Sequence, residues 1–138
     1  MMSVKFNEIL YDSRFRVLSK GVDLHSVTVS GLYVGDLLSF VMAKAKPGQI
    51  WLTIQAHPNV IAVASLINLS AVIVVEGVDI PQETIDVANE RGVVLISSVL
   101  DAVELVKLIE VWAFIMTYIF TSSYHLVLMI LWYLMILF

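Results

Sequence analysis

The sequence predicts an α/β domain built on a mostly parallel or mixed sheet. Short apolar runs of strand length, such as Ala71, Val72, Ile73, Val74 and Val75, recur along the chain. A strand covered on both faces reads as such a run. Helical periodicity alternates with these runs, as it does in parallel β-α-β units. A third observation bounds the domain: all 8 basic and 12 acidic residues lie between Lys5 and Glu110, and residues 111–138 hold none.

Residues 3–11 place Val4, Phe6, Ile9 and Leu10 at mostly helical spacing behind Ser3, predicting a short N-terminal helix. Residues 14–18 alternate polar and apolar and predict a half-exposed strand that ends at Lys20 and Gly21. A second β-prone stretch, 27–34, is broken at Ser30 and Gly31, where a bulge or close backbone approach is expected. Asp36 then reads as an N-cap, with Leu37, Leu38, Val41 and Met42 on one helical face. That helix must stop before Lys46, Pro47 and Gly48.

Ile50 to Ile54 forms the next strand, followed by a polar corner and a helix that Pro58 opens. Residues 71–75 are the central strand. Ile80 and Pro81 lead into an acidic first turn, and Gly92 ends that helix. Residues 93–96 form the last strand, and Ser97 or Ser98 caps a helix over 100–110. The predicted order is α-β-β-α-β-α-β-α-β-α.

A length of 138 residues accommodates one domain with a real core. The net charge of −4, without a basic cluster, argues against nucleic acid as a partner. With no cysteine there is no disulfide, thiolate metal site or thiol nucleophile. His25, His57 and His125 lack metal-ligand spacing, so no metal is expected. Neither a phosphate-cradling Gly-rich loop nor a nucleophile elbow is present. The expectation is a protein with no catalytic residues and no cofactor. The N-terminus has no signal-peptide layout, which predicts a cytoplasmic location.

Binding is better supported than catalysis. A strand that ends in a polar corner and feeds a helix is where α/β folds place ligands. Thr53, Gln55, His57 and Asn59 are the candidate ligand-binding residues. Thr53 and Gln55 alternate on one strand, and Asn59 lies where free helix N–H groups favour an anion. His57 either reaches a phosphate or carbonyl, or caps the loop. Tyr33 and Trp51 are the right type to stack on a base, but core or dimer packing is their commoner fate.

Residues 29–39 and 51–64, including the Trp-x-Thr-Ile-Gln-x-His-x-Asn run from Trp51 to Asn59, resemble the stand-alone DRTGG-domain proteins. The resemblance covers roughly residues 3–110. The five-letter motif itself is not intact: residues 27–31 read Val-Thr-Val-Ser-Gly. The resemblance implies a three-layer α/β/α sandwich similar to the N-terminal domain of HPr kinase/phosphorylase. It also implies a regulatory, dimer-forming or nucleotide-sensing module, with an adenine nucleotide or phosphorylated metabolite as ligand. An interaction module without a small-molecule ligand is the alternative, and a phosphotransfer enzyme ranks last.

The domain is expected to span 1–110, with 111–138 an apolar helical tail. About 20 apolar residues suffice to cross a bilayer, so one reading is a C-terminal anchor. The polar stretch 121–125 interrupts it. The other reading is out-of-frame translation: with permissible codons, residues 110–114 read two nucleotides later give Ser-Leu-Gly-Ile, the ending typical of the resembled family. We favour the second.

Overall fold

The computed structural model describes residues 4–5, 11–121 and 126–137. Its strands are β1 (Val4–Lys5), β2 (Phe15–Val17), β3 (Thr28–Val29), β4 (Gly31–Val34), β5 (Gln49–Thr53), β6 (Ala71–Val74) and β7 (Leu95–Ser98). Its α-helices are α1 (Leu38–Lys44), α2 (Pro58–Leu66), α3 (Gln82–Arg91), α4 (Ala102–Thr121) and α5 (Leu126–Leu137), with a 3-10 turn at Leu24–Ser26. The main sheet has the order β2-β7-β6-β5-β4. Strands β4 to β7 pair in parallel, and β2 closes one edge antiparallel to β7. The sheet is mixed and mostly parallel, as predicted.

Every residue of β6 is buried, because both faces of the sheet are covered. On one face Trp51, Val72, Val74 and Leu95 pack against Val41 of α1, Val60, Ile61 and Ala64 of α2, and Ala88 of α3. On the other, Ile50, Leu52, Ile73 and Ile96 pack against Leu105 and Ile109 of α4, with Leu24 and Val29 alongside. The result is the three-layer sandwich. All the crossover helices between parallel strands lie on the first face, and the chain changes face only after β7.

The break expected at Ser30 is real: β3 pairs with β1 in a separate two-stranded ribbon while β4 joins the main sheet. Ser30 Oγ donates to the Pro47 carbonyl at 3.0 Å. Gly48, at φ +82°, must be glycine, because a Cβ there would fall 2.7 Å from Ser30 Oγ. Gly92, at φ +66°, is the left-handed C-cap of α3.

Three local expectations are corrected. Val4–Lys5 is a strand rather than the start of a helix, because it finds β3 as a partner; the rest of the predicted N-terminal helix, residues 6–10, lies outside the described residues. The final strand runs on through Ser98, so neither Ser97 nor Ser98 caps the following helix. Asp101 does so, accepting from Glu104 N at 2.8 Å. That bond is the main reason its carboxyl sits below the usual aspartate range.

The tail does not begin as a separate element. Helix α4 passes Glu110 without interruption and reaches Thr121. No described helix is long and apolar enough to cross a membrane. Helix α4 carries Glu104, Lys107 and Glu110, and α5 has 12 residues, about 18 Å against a hydrocarbon core of about 30 Å. The anchor reading is therefore not supported. Polar residues 122–125, with His125, lie outside the described residues.

Ile73 is fully buried at the centre of β6. Ile73→Ala is expected to lower unfolding stability by about 2–5 kcal/mol through lost burial and a residual cavity. Leu37→Ala, at a side chain 59% exposed, should stay within about 0.5 kcal/mol. Urea denaturation of both variants checks the contrast.

Candidate functional site

The predicted corner forms where expected, at the carboxyl end of β5, but its polar groups are largely turned to one another. Thr53 is buried; its Oγ1 donates to Asp36 Oδ1 at 2.9 Å and accepts from Gln55 N at 3.1 Å. His57 is the N-cap of α2, and its Nδ1 accepts from Asn59 N at 3.2 Å. Of the two roles open to His57 in the sequence, capping is the one this geometry displays. Thr84 Oγ1 of α3 donates to the Ala56 carbonyl at 2.6 Å, fastening the corner to the neighbouring helix. What faces solvent is the half-buried Gln55 and the exposed side chains of His57 and Asn59.

Asp36 does not cap α1. That position falls to Leu37, which makes no side-chain cap bond. Asp36 Oδ1 instead accepts from both Thr53 Oγ1 and Ile54 N, the latter at 3.0 Å. Ile54 N lies one residue beyond the β5 ladder, where its hydrogen would otherwise lack a strand partner. Trp51 is fully buried and its Nε1 donates to the Gly35 carbonyl at 2.7 Å. Its role is core packing, which leaves no face for base stacking.

A cleft of about 520 Å³ opens one edge further along, between the carboxyl ends of β6 and β7 and the start of β2. Topology explains the place. The chain leaving β6 enters α3 on one face, while the chain leaving β7 enters α4 on the other. Where adjacent parallel strands send their connections to opposite faces, the loops diverge and a crevice remains. No such divergence occurs at β5, whose neighbours all send their helices to the same face. The polar lining comprises Ser13, Arg14, Arg16, Asp79, Ser97 and Ser98; Val78, Ile80, Ile85 and Val99 form the apolar wall.

Arg14 is held in place from two sides. Its Nε and Nη2 donate to the two carboxylate oxygens of Asp12 at 2.9 and 2.6 Å. Its carbonyl accepts from Ser98 Oγ at 3.0 Å and Val99 N at 3.3 Å. The side-chain bond from Arg14 is the main cause that holds the Asp12 carboxyl below its ordinary range. The same bond raises Arg14. Arg16 is exposed and in register with Ser97. Among the described residues the only ion pair is Arg14–Asp12, so Arg16 has no carboxylate partner there.

Sequence reasoning treated residues 14–18 as a solvated strand face and missed these arginines. Arg16 lies in β2 and Arg14 in the turn that leads into it, and no local pattern in the sequence marked the pair as lining one cleft. Thr53, Gln55, His57 and Asn59 do not line the cleft. Among the described residues no cluster of acidic and histidine side chains suits a metal ion.

No family model and no curated protein matches the chain. Among solved structures, its fold is similar to the CBS and DRTGG domains of the regulatory region of Clostridium perfringens pyrophosphatase, crystallised with the activator diadenosine tetraphosphate. The TM-score is 0.59 and the identity 16%, over 72% of this chain and 43% of that one. The chain therefore spans less than half the length of this neighbour. At such identity the similarity establishes a CBS/DRTGG-like α/β fold, which is the coarser part of the DRTGG expectation.

The Asp12–Arg14 pair predicts a specific acid response. Because the folded-state carboxyl ionises below an unfolded aspartate, near about 3.9, the pair stabilises the fold above that pH. The contribution is lost as pH falls through the lower folded value. Arg14 is 47% exposed, so solvent screening keeps the contribution under about 1 kcal/mol. Asp12→Asn should lower the urea midpoint near neutrality. The gap to wild type should narrow progressively as pH falls below an unfolded aspartate's value of about 3.9.

Proposed function

We propose that the chain is a non-catalytic regulatory domain that senses an adenine nucleotide or another phosphorylated metabolite. The observation that carries this reading is the fold shared with a regulatory region whose activator is an adenine nucleotide. An open cleft at strand carboxyl ends, with two arginines on its lining, is consistent with such a ligand. Membership of the stand-alone DRTGG group, a cytoplasmic location and assembly as a homodimer belong to the same proposal. Catalysis, including phosphotransfer, ranks last, because the sequence supplies no phosphate-cradling Gly-rich loop.

An interaction module without a small-molecule ligand is the second reading, and one observation favours it. Val34, Leu37, Phe40 and Ile54 are apolar and 45–63% exposed. They belong to the ends of β4 and β5 and the start of α1, which Asp36 ties together. Among the described residues β4 has no strand on its outer edge, and exposed apolar groups beside such an edge suit pairing with a second chain.

Thermal unfolding of the full chain with AMP, ADP and ATP separates the two readings. Sensing predicts a rise in the midpoint with at least one of them, since a ligand that binds only the folded state stabilises it by about 2.7 kcal/mol at a hundred times its Kd. The interaction reading predicts no rise with any nucleotide. It further predicts an assembly in sedimentation that Phe40→Ser weakens.

A further inference from the structure

The regulatory reading leaves open where a phosphorylated ligand sits and what kind it is. The corner at β5 is a poor receptor: Thr53 Oγ1, Ile54 N, Gln55 N and Asn59 N are already bonded within the protein. The cleft beside β2 differs in each respect that matters for an anion. It lies at the divergence of the connections after β6 and β7, where an open α/β sheet leaves room outside its strand ends. Its volume, about 520 Å³, falls within the range that holds one small molecule.

Charge is arranged there unevenly. Arg14 is fixed by Asp12 through Nε and Nη2, an edge-on clamp that leaves Nη1 without a hydrogen bond among the described residues. Arg16 follows two residues later, inside β2, and lines the same cleft, with no carboxylate partner among the described residues. One preset guanidinium and one uncompensated guanidinium at a single cleft form a fork for phosphate oxygens. The loop after β6 brings Asp79 to the same lining, and its carboxylate can only accept hydrogen bonds when ionised. It therefore suits hydroxyl groups rather than phosphate. Ile80 and Ile85 add apolar surface to the lining.

We propose that this cleft binds a nucleoside mono- or diphosphate, with Arg14 and Arg16 on the phosphate, Asp79 on the ribose hydroxyls and the isoleucines against the base. This assignment rests on the regulatory reading and adds the place and the ligand class to it.

Isothermal titration of the full chain with ADP, inorganic phosphate and adenosine tests the assignment. ADP should bind one per chain, more weakly as salt is raised. Arg16→Gln should weaken ADP about ten- to a hundredfold, the worth of a hydrogen bond to a charged group. Arg16→Lys should recover part of that loss by restoring the charge. Asp79→Asn should weaken ADP and leave inorganic phosphate no weaker than before. Lys44→Gln removes an equal charge from α1, outside the cleft, and should change ADP affinity by no more than about twofold. Arg16 is exposed on an edge strand, so far-UV circular dichroism of its variants should match the parent.

ADP binding that survives Arg16→Gln but collapses with His57→Ala would overturn the cleft assignment and leave nucleotide sensing standing at the β5 corner. Binding of phosphate as tight as ADP, with Asp79→Asn indifferent to both, would overturn the nucleoside part. Absence of heat and of any thermal shift with every nucleotide would overturn the assignment and the regulatory reading together.

Discussion

A parallel sheet buried on both faces has to be roofed twice, and most of this structure follows from that requirement. Strand β6 is apolar and buried at every position, so neither of its faces can be left to water. The helices α1, α2 and α3 all pack on one side, as successive crossovers in one direction must. The opposite side can only be covered by segments outside that run, namely α4 and the N-terminal ribbon with its 3-10 turn. The chain therefore has to change face after β7. That change separates the loops following β6 and β7 and opens the cleft. The cleft is a by-product of covering the core.

The same logic decides what was legible in the sequence. The apolar run at 71–75, the stop at Gly92 and the Pro58 helix start are local signals, and each of these three features appears within a residue of its expected place. Val4–Lys5 was misread because a two-residue strand has no periodicity of its own and exists only through its partner β3. The Ser98 hydroxyl looked like a helix cap. It accepts locally from Leu100 N at 3.2 Å but donates to the Arg14 carbonyl, 84 residues away, and the helix cap is Asp101. Such errors arise wherever a strand runs on because a distant partner holds it, as β2 holds β7 through Ser98.

The candidate site shows this most clearly. Thr53, Gln55, His57 and Asn59 formed a persuasive polar cluster in one dimension, and the structure does gather them at a strand end. There the requirement to satisfy backbone groups beyond the β5 ladder engages Thr53, His57 and Asp36 in holding the turn. Arg14 and Arg16 read as the polar positions of a half-exposed strand. Their relation to the loop after β6 depends on which face each connection takes, and no local pattern of residues records that choice.

The pairing of β2 with β7 has a consequence for how the protein is made. Strand β2 precedes every other strand of the main sheet, yet its partner is the last of them, so this pairing cannot form until nearly the whole domain has been made. Strands β4 to β7 each find a neighbour as soon as the intervening helix is complete. The edge carrying Arg14 and Arg16 cannot be laid down until Ser98 has left the ribosome. The cleft is thus the last part of the sheet to be assembled, and a ligand held there would engage only chains whose sheet is already complete.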